Sequence, residues 1–167
     1  MSNGALSEPT DYEDLARSAE ALVAGESDAV ANMANIAALI WERVDRLNWA
    51  GFYRTMGGEL VLGPFIGAPA CVRIPMGQGV CGTAAQARET QRVPDVHAFP
   101  GHIACDARSR SELVVPIVVD GDVVGVLDLD SPEHDRFSPE DAAGFEALIQ
   151  NLLPMFRACS VSGQLRA

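Results

Sequence analysis

The chain has 167 residues, 48% of them hydrophobic, which is enough for a packed core and excludes a disordered chain. A net charge of -11 with only 6% aromatic residues argues against nucleic acid or an anionic membrane as partner. No apolar run is long enough to span a bilayer, and the polar segment 1–8 lacks the basic and apolar parts of a secretory signal, so the expected location is cytoplasmic.

Thr10-Asp11-Tyr12-Glu13 reads as a helix start of the capping-box kind. Tyr12, Leu15, Ala16, Ala19, Leu22 and Val23 follow at helical spacing, and Gly25 ends the run. A second helix is predicted over 28–46, with Val30, Met33, Ala37, Ile40, Trp41 and Val44 as its apolar stripe. Strands are predicted over 48–54 and 59–65, joined by Gly57-Gly58, and a short strand over 71–75. Gly77, Gly79 and Gly82 interrupt the pattern before a brief helix over 83–88, whose first N–H groups would suit an anion. The stretch 95–110 is polar and irregular, the kind of long loop that tends to carry function. Strands over 112–119 and 122–128 flank Asp120-Gly121, a strong hairpin signal. Ser138-Pro139-Glu140-Asp141 opens a last helix running to about Phe156. Hairpins imply an antiparallel sheet, so the expected fold is α+β, one domain over 1–167 (core about 10–156) with helices packed mainly on one face of a central sheet.

Four cysteines in a cytosolic chain are expected to be mostly reduced, which favours catalytic, redox or metal use over a permanent disulfide framework. A zinc site from Cys71, Cys81, Cys105, His97 and His102 lacks the short ligand spacing such sites use, so no metal and no cofactor is expected. A Cys-His acyl-transfer pair of Cys105 and His102 matches no hydrolase signature. Redox chemistry uses more of the residues. Cys105 has His102, Arg108 and Arg110 close in sequence, a setting that would favour thiolate, and two further central thiols could resolve an oxidised sulfur. The plainer alternatives are a buried Cys81 at a helix start and a core-facing Cys71 on a strand. Cys159 is expected in a tail after the last helix, without a polar constellation. Asp128 and Asp130 share one face of their strand, and the hairpin brings Glu112 to the same end. Three such carboxylates repel, so at least one would keep a proton near neutral pH. Trp49 and Tyr53, four residues apart on one strand, face the same way and would wall an apolar pocket, or else form plain core.

These segments together resemble the free methionine-(R)-sulfoxide reductases, which are single GAF-type domains. The matching runs are N-W-A-G-F-Y at 48–53, C-V-R-I-P-M-G-Q-G-V-C-G-T-A at 71–84 and V-P-D-V-H-A-F-P-G-H-I-A-C-D at 93–106. They continue with S-E-L-V-V-P-I at 111–117 and G-V-L-D-L-D-S at 125–131. The resemblance implies a catalytic role for Cys105, a resolving role for Cys71 and a secondary one for Cys81. It implies substrate contacts for Glu112, Asp128, Asp130, Trp49 and Tyr53. It further implies free methionine-(R)-sulfoxide as substrate and thioredoxin as reductant. The rival expectation is a GAF sensor without catalysis. Such a sensor normally adjoins an output domain, for which 167 residues leave no room, and it has no need of three thiols and three carboxylates in one pocket. The amphipathic N-terminal helix pair offers a face on which a second copy could pack, as a homodimer.

Overall fold

The computed structural model describes residues 9–103 and 105–162, with backbone only for 158–162. The polar segment read above for signal character, 1–8, lies outside the described residues.

Two helices come first. In α1 (Tyr12–Val23) the N-cap is Asp11 rather than Thr10, because the Asp11 carboxylate accepts from the Asp14 N–H at 2.9 Å. In α2 (Ala29–Arg43) Asp28 does the same for Ala31 at 2.8 Å. The buried side of α2 is Ala29, Asn32, Met33, Ile36, Ala37 and Ile40. Val30 and Trp41, expected inward, are 43% and 39% exposed, and Leu22 of α1 also faces out. The stripe is rotated because Ala29 and Asn32 carry it, and Asn32 can be buried by donating to the Glu26 carbonyl at 3.0 Å.

Strands β1 (Trp49–Met56) and β2 (Glu59–Gly67) form the predicted hairpin, with Gly57 and Gly58 both at positive φ. Strand β3 (Arg73–Pro75) is shorter than predicted and leaves Cys71 on its approach. Helix α3 (Gly79–Ala87) begins four residues before the predicted start, so Cys81 lies in its first turn. Gly82 fits there as part of the helix, since a Cβ would come within 2.4 Å of the Pro75 carbonyl oxygen. Strand β4 (Gln91–Val93) was not predicted. Strands β5 (Ser111–Val119) and β6 (Asp122–Ser131) turn at Asp120-Gly121 as expected. In α4 (Pro139–Ser162) Ser138 and Asp141 cap each other reciprocally: each backbone N–H donates to the other's side chain, at 2.8 and 3.0 Å. The helix runs beyond Phe156, so Cys159 belongs to it and not to a tail.

The six strands form one antiparallel sheet in the order β3-β2-β1-β6-β5-β4. Strand alternation sends Ala50, Phe52, Leu113, Val115, Leu127 and Leu129 to one face, where α1, α2 and α4 cover them. Trp49, Tyr53, Val114 and Val126 point to the other face, where Val80, Cys81, Ala84 and Ala85 of α3 cover part of it. The fold class is thus the expected α+β sheet with most helices on one side. Among the described residues no helix is long and apolar enough to cross a membrane.

Candidate active site

The face under α3 holds a cavity between the sheet, the first turn of α3 and the loop through 102–109. Strand register builds its floor. Asp130 on β6 lies between Trp49 on β1 and Glu112 on β5, and one pair along, Asp128 lies between Gly51 and Val114. Gly51 stands opposite Asp128 where no side chain fits, since a Cβ would lie 2.3 Å from the Phe65 Cβ. Trp49, Tyr53, Cys81, Cys105, Glu112, Asp128 and Asp130 all line this one cavity. Cys71 reaches it through a disulfide to Cys105, with Cα atoms 5.5 Å apart. That pairing is the one the family resemblance implies, and it removes both thiols from the zinc set considered in the sequence.

The aromatic wall is held rigidly. Trp49 stacks on Tyr53 at 5.9 Å and on Phe65 at 5.2 Å between ring centroids. Its indole N–H donates to the Ala68 carbonyl at 3.2 Å, and the Tyr53 hydroxyl donates to the Cys71 carbonyl at 2.9 Å. Both rings are buried, as plain core would be, but they also border the cavity. Gly67 allows the fit, because a Cβ at its positive φ would come within 2.6 Å of the Trp49 ring.

Electrostatically the floor is unusual for a buried surface. Glu112 and Asp128 are buried, and Asp130 opens partly to the cavity. Loss of water pushes all three carboxyls up, and for Glu112 and Asp130 the nearby Asp128 charge adds to it. Asp128 itself is raised to about 6, mainly by burial. Glu112 and Asp130 are pushed well above their usual range. The group therefore holds protons at neutral pH, as three converging carboxylates predict. Burial also pushes the Cys81 thiol well up, with Asp128 and Glu112 adding to it, so Cys81 is a neutral thiol. Its Sγ donates to Glu112 Oε1 at 3.9 Å. Asp128 Oδ1 is buried without a hydrogen-bond partner.

The loop differs from expectation in one respect. Arg108 and Arg110 do not line the cavity; Arg108 is instead paired with Asp106 at 2.8 Å, and that pairing holds the Asp106 carboxyl down at about 2. His102 does line the cavity, and burial followed by the neighbouring His97 lowers its pKa, which leaves it neutral. His97 binds Asp95 outside the cavity. The sequence reading missed Asn48 and Ser109. The Asn48 amide donates to Asp106 Oδ2 at 3.1 Å and to Ser109 Oγ at 3.0 Å, which ties the cysteine loop to the start of β1. Their only sequence signal is adjacency: Asn48 precedes Trp49, and Asp106 follows Cys105.

A six-stranded antiparallel sheet with a cavity on its α3 face is the arrangement of a GAF domain, and the GAF domain family matches residues 20–152. A free methionine-R-sulfoxide reductase of Escherichia coli is 53% identical over 141 residues, covering 84% of this chain and 86% of that one. Among solved structures, fRMsr of Staphylococcus aureus in its reduced form is 49% identical with a TM-score of 0.86, covering 89% of this chain and 96% of that chain. Free methionine-R-sulfoxide reductase from Neisseria meningitidis, solved with its substrate, is 44% identical with a TM-score of 0.86, covering 90% and 91%. The chain belongs to the free methionine-R-sulfoxide reductase family, and so to the oxidoreductases.

Proposed function

We propose that the protein reduces free L-methionine-(R)-sulfoxide to L-methionine. The observation that carries this reading is the Cys71–Cys105 disulfide beside a cavity floored by Glu112, Asp128 and Asp130 and walled by Trp49. One sulfur there can be oxidised by a bound molecule, and a second stands within bonding reach to resolve it.

In the reduced protein the Cys105 thiolate attacks the sulfoxide sulfur. The oxygen passes to Cys105 with one proton, giving a sulfenic acid, and methionine leaves as the thioether. Glu112, which retains its proton in the buried floor, is the donor suited to the departing oxygen. Asp128 is the least raised of the three and has a bare Oδ1, so it is the natural partner for the substrate ammonium, with Asp130 beside it. The first turn of α3 lines the same cavity, and helix N–H groups of that turn have no partner within the helix, which suits the substrate carboxylate. The fixed Trp49 ring offers a flat apolar wall to the methyl and thereby selects the R epimer by shape. The Cys71 thiol then displaces hydroxide, as water, from the Cys105 sulfenic acid and forms the disulfide. A dithiol protein of the thioredoxin kind takes up that oxidation and returns both thiols.

Incubating the protein with free L-methionine sulfoxide, mixed at sulfur, and excess dithiothreitol tests the reading directly. Amino-acid analysis should find the R epimer converted to methionine and the S epimer left, so that half the substrate remains. Survival of both epimers would overturn the assignment.

A further inference from the structure

Asn48 does not line the cavity, yet it joins the cysteine loop to the acid floor. Both protons of its amide go to the loop, one to Asp106 Oδ2 at 3.1 Å and one to Ser109 Oγ at 3.0 Å. Its backbone N–H goes to the floor, donating to the Asp130 carbonyl at 3.0 Å. The turn that it grips is closed on itself: the Ser109 N–H donates to the Asp106 carbonyl at 3.2 Å, and the Arg108 N–H to Asp106 Oδ1 at 2.9 Å. Cys105 immediately precedes Asp106, one peptide bond from that turn. The Ser109 hydroxyl accepts from Asn48 and keeps its own proton for Asp130, a bond that draws that carboxyl down against the effect of burial. Asn48 therefore reaches Asp130 twice, through its backbone and through Ser109.

The orientation of the amide supports a task beyond packing. Asn48 is 8% exposed, and its Oδ1 is buried without a hydrogen-bond partner among the described residues. The flipped amide would set that oxygen against the Asp106 carboxylate, which Arg108 holds ionised at about 2. Both donors thus face the loop, and the bare oxygen is a standing cost of that choice. An apolar side chain of similar size would fill the same space without it.

We propose that Asn48 is a positioning residue, which clamps the 106–109 turn onto β6 and so aims Cys105 at the sulfur of a substrate lying on the acid floor. It acts through Asp106 and Ser109 and touches no reacting atom. The role rests on the reductase reading above. In that reading Cys105 serves two partners in turn, first the sulfoxide sulfur and then Cys71. With residues 106 and 109 fixed, Cys105 turns from one to the other while the loop stays on the floor. Loss of the clamp displaces the nucleophile, and a misplacement of about 1 Å costs about 10² in rate.

The test is single-turnover methionine formation by the reduced full chain from free methionine-(R)-sulfoxide, well below the melting range. Asn48→Ala should lower the rate at saturating substrate by about 10–10², with the half-saturating concentration near the parent's. Asn48→Asp has the same size but sets a second carboxylate against Asp106, so it should be slower still. Alkylation of Cys105 by iodoacetamide without substrate, read by peptide mass, should be at least as fast as in the parent, because the aim is lost and not the thiolate. Asp106→Ala with Ser109→Ala cuts both bonds from the loop side and should be at least as slow as Asn48→Ala. Adding Asn48→Ala to that pair should then change little. If the Asn48 variants do not fold, the loop pair alone carries the rate and alkylation measurements. A parent-like rate in Asn48→Ala, or in the loop pair, overturns the role. So does a fall in rate matched by a fall in Cys105 alkylation, or full additivity with the loop pair. A parent chain that leaves the R epimer intact overturns the reductase reading itself, and the positioning role falls with it.

Discussion

The two faces of the sheet come from the same strands read at alternate positions, yet they are opposites. Under α1, α2 and α4 the strands present Phe52, Leu113, Val115, Leu127 and Leu129 to Phe145, Leu148 and Ile149, with no charge among them. Under α3 the same strands present Glu112, Asp128 and Asp130 beside Cys81. Each fully buried aliphatic side chain on the first face contributes about 1.5–3 kcal/mol. Each carboxyl on the second costs free energy unless it keeps its proton or finds a partner. The lesson is a division of labour within one sheet. The three-helix face carries enough stability for the other face to hold acids and thiols out of water, where their chemistry differs from that in solution.

That contrast can be tested from both sides. Cys105→Ser should form no methionine even in a single turnover, with native circular dichroism; methionine at the natural rate would remove Cys105 from the mechanism. Its partner variant, Cys71→Ser, should release one equivalent of methionine and then cycle far more slowly with thioredoxin. Undiminished cycling would hand the resolving role to Cys81. Glu112→Gln should lower the reductase rate by about 10²–10⁴, the usual worth of a positioned proton donor. The same change should stabilise the chain, but only at higher pH. The carboxyls of this floor bind protons more tightly folded than unfolded. Their contribution is therefore complete below about pH 4, where unfolded carboxyls also hold protons, and is lost as pH rises through the folded values. That loss sets in above about pH 4, is largely complete once pH passes about 6 for Asp128, and continues higher for Glu112 and Asp130. Melting curves should then show Glu112→Gln level with the parent at about pH 4 and above it at about pH 8. A gap that is equal at both pH values would mean Glu112 is not strained by its surroundings. On the opposite face Phe145→Ala should cost about 3–5 kcal/mol in urea unfolding. It should leave the rate per folded molecule near that of the parent; a matching fall in rate would show that the faces are not independent.

Much of this division was legible in the sequence. Alternation along β6 put Asp128 and Asp130 together, and Asp120-Gly121 fixed which end of β5 meets them. Glycine misled where it was read as a breaker. Gly79 and Gly82 belong to α3: Gly79 opens the helix at positive φ, and at Gly82 the helix passes too close to the Pro75 carbonyl for a side chain. Helical period misled where the inward residues were Ala29 and Asn32 rather than Val30 and Trp41, since weak apolarity gives weak signal. Strand β4 was invisible because Gln91 and Arg92 look like loop, and only pairing with Leu113 and Val114 makes them a strand. The union of Cys71 with Cys105 could not come from local pattern at all. The two residues stand 34 apart in sequence, and only the family resemblance brought them together.

That separation has a consequence for the lifetime of the chain. A covalent tie across 34 residues encloses α3, β4 and most of the cysteine loop, and it narrows the unfolded ensemble by about 4 kcal/mol on the chain-entropy account. The form awaiting electrons is then the more durable one. In a cell short of reducing power the idle protein should resist proteases longer than the working one, and digestion with and without dithiothreitol would measure the difference; equal digestion rates would mean that the tie adds no durability.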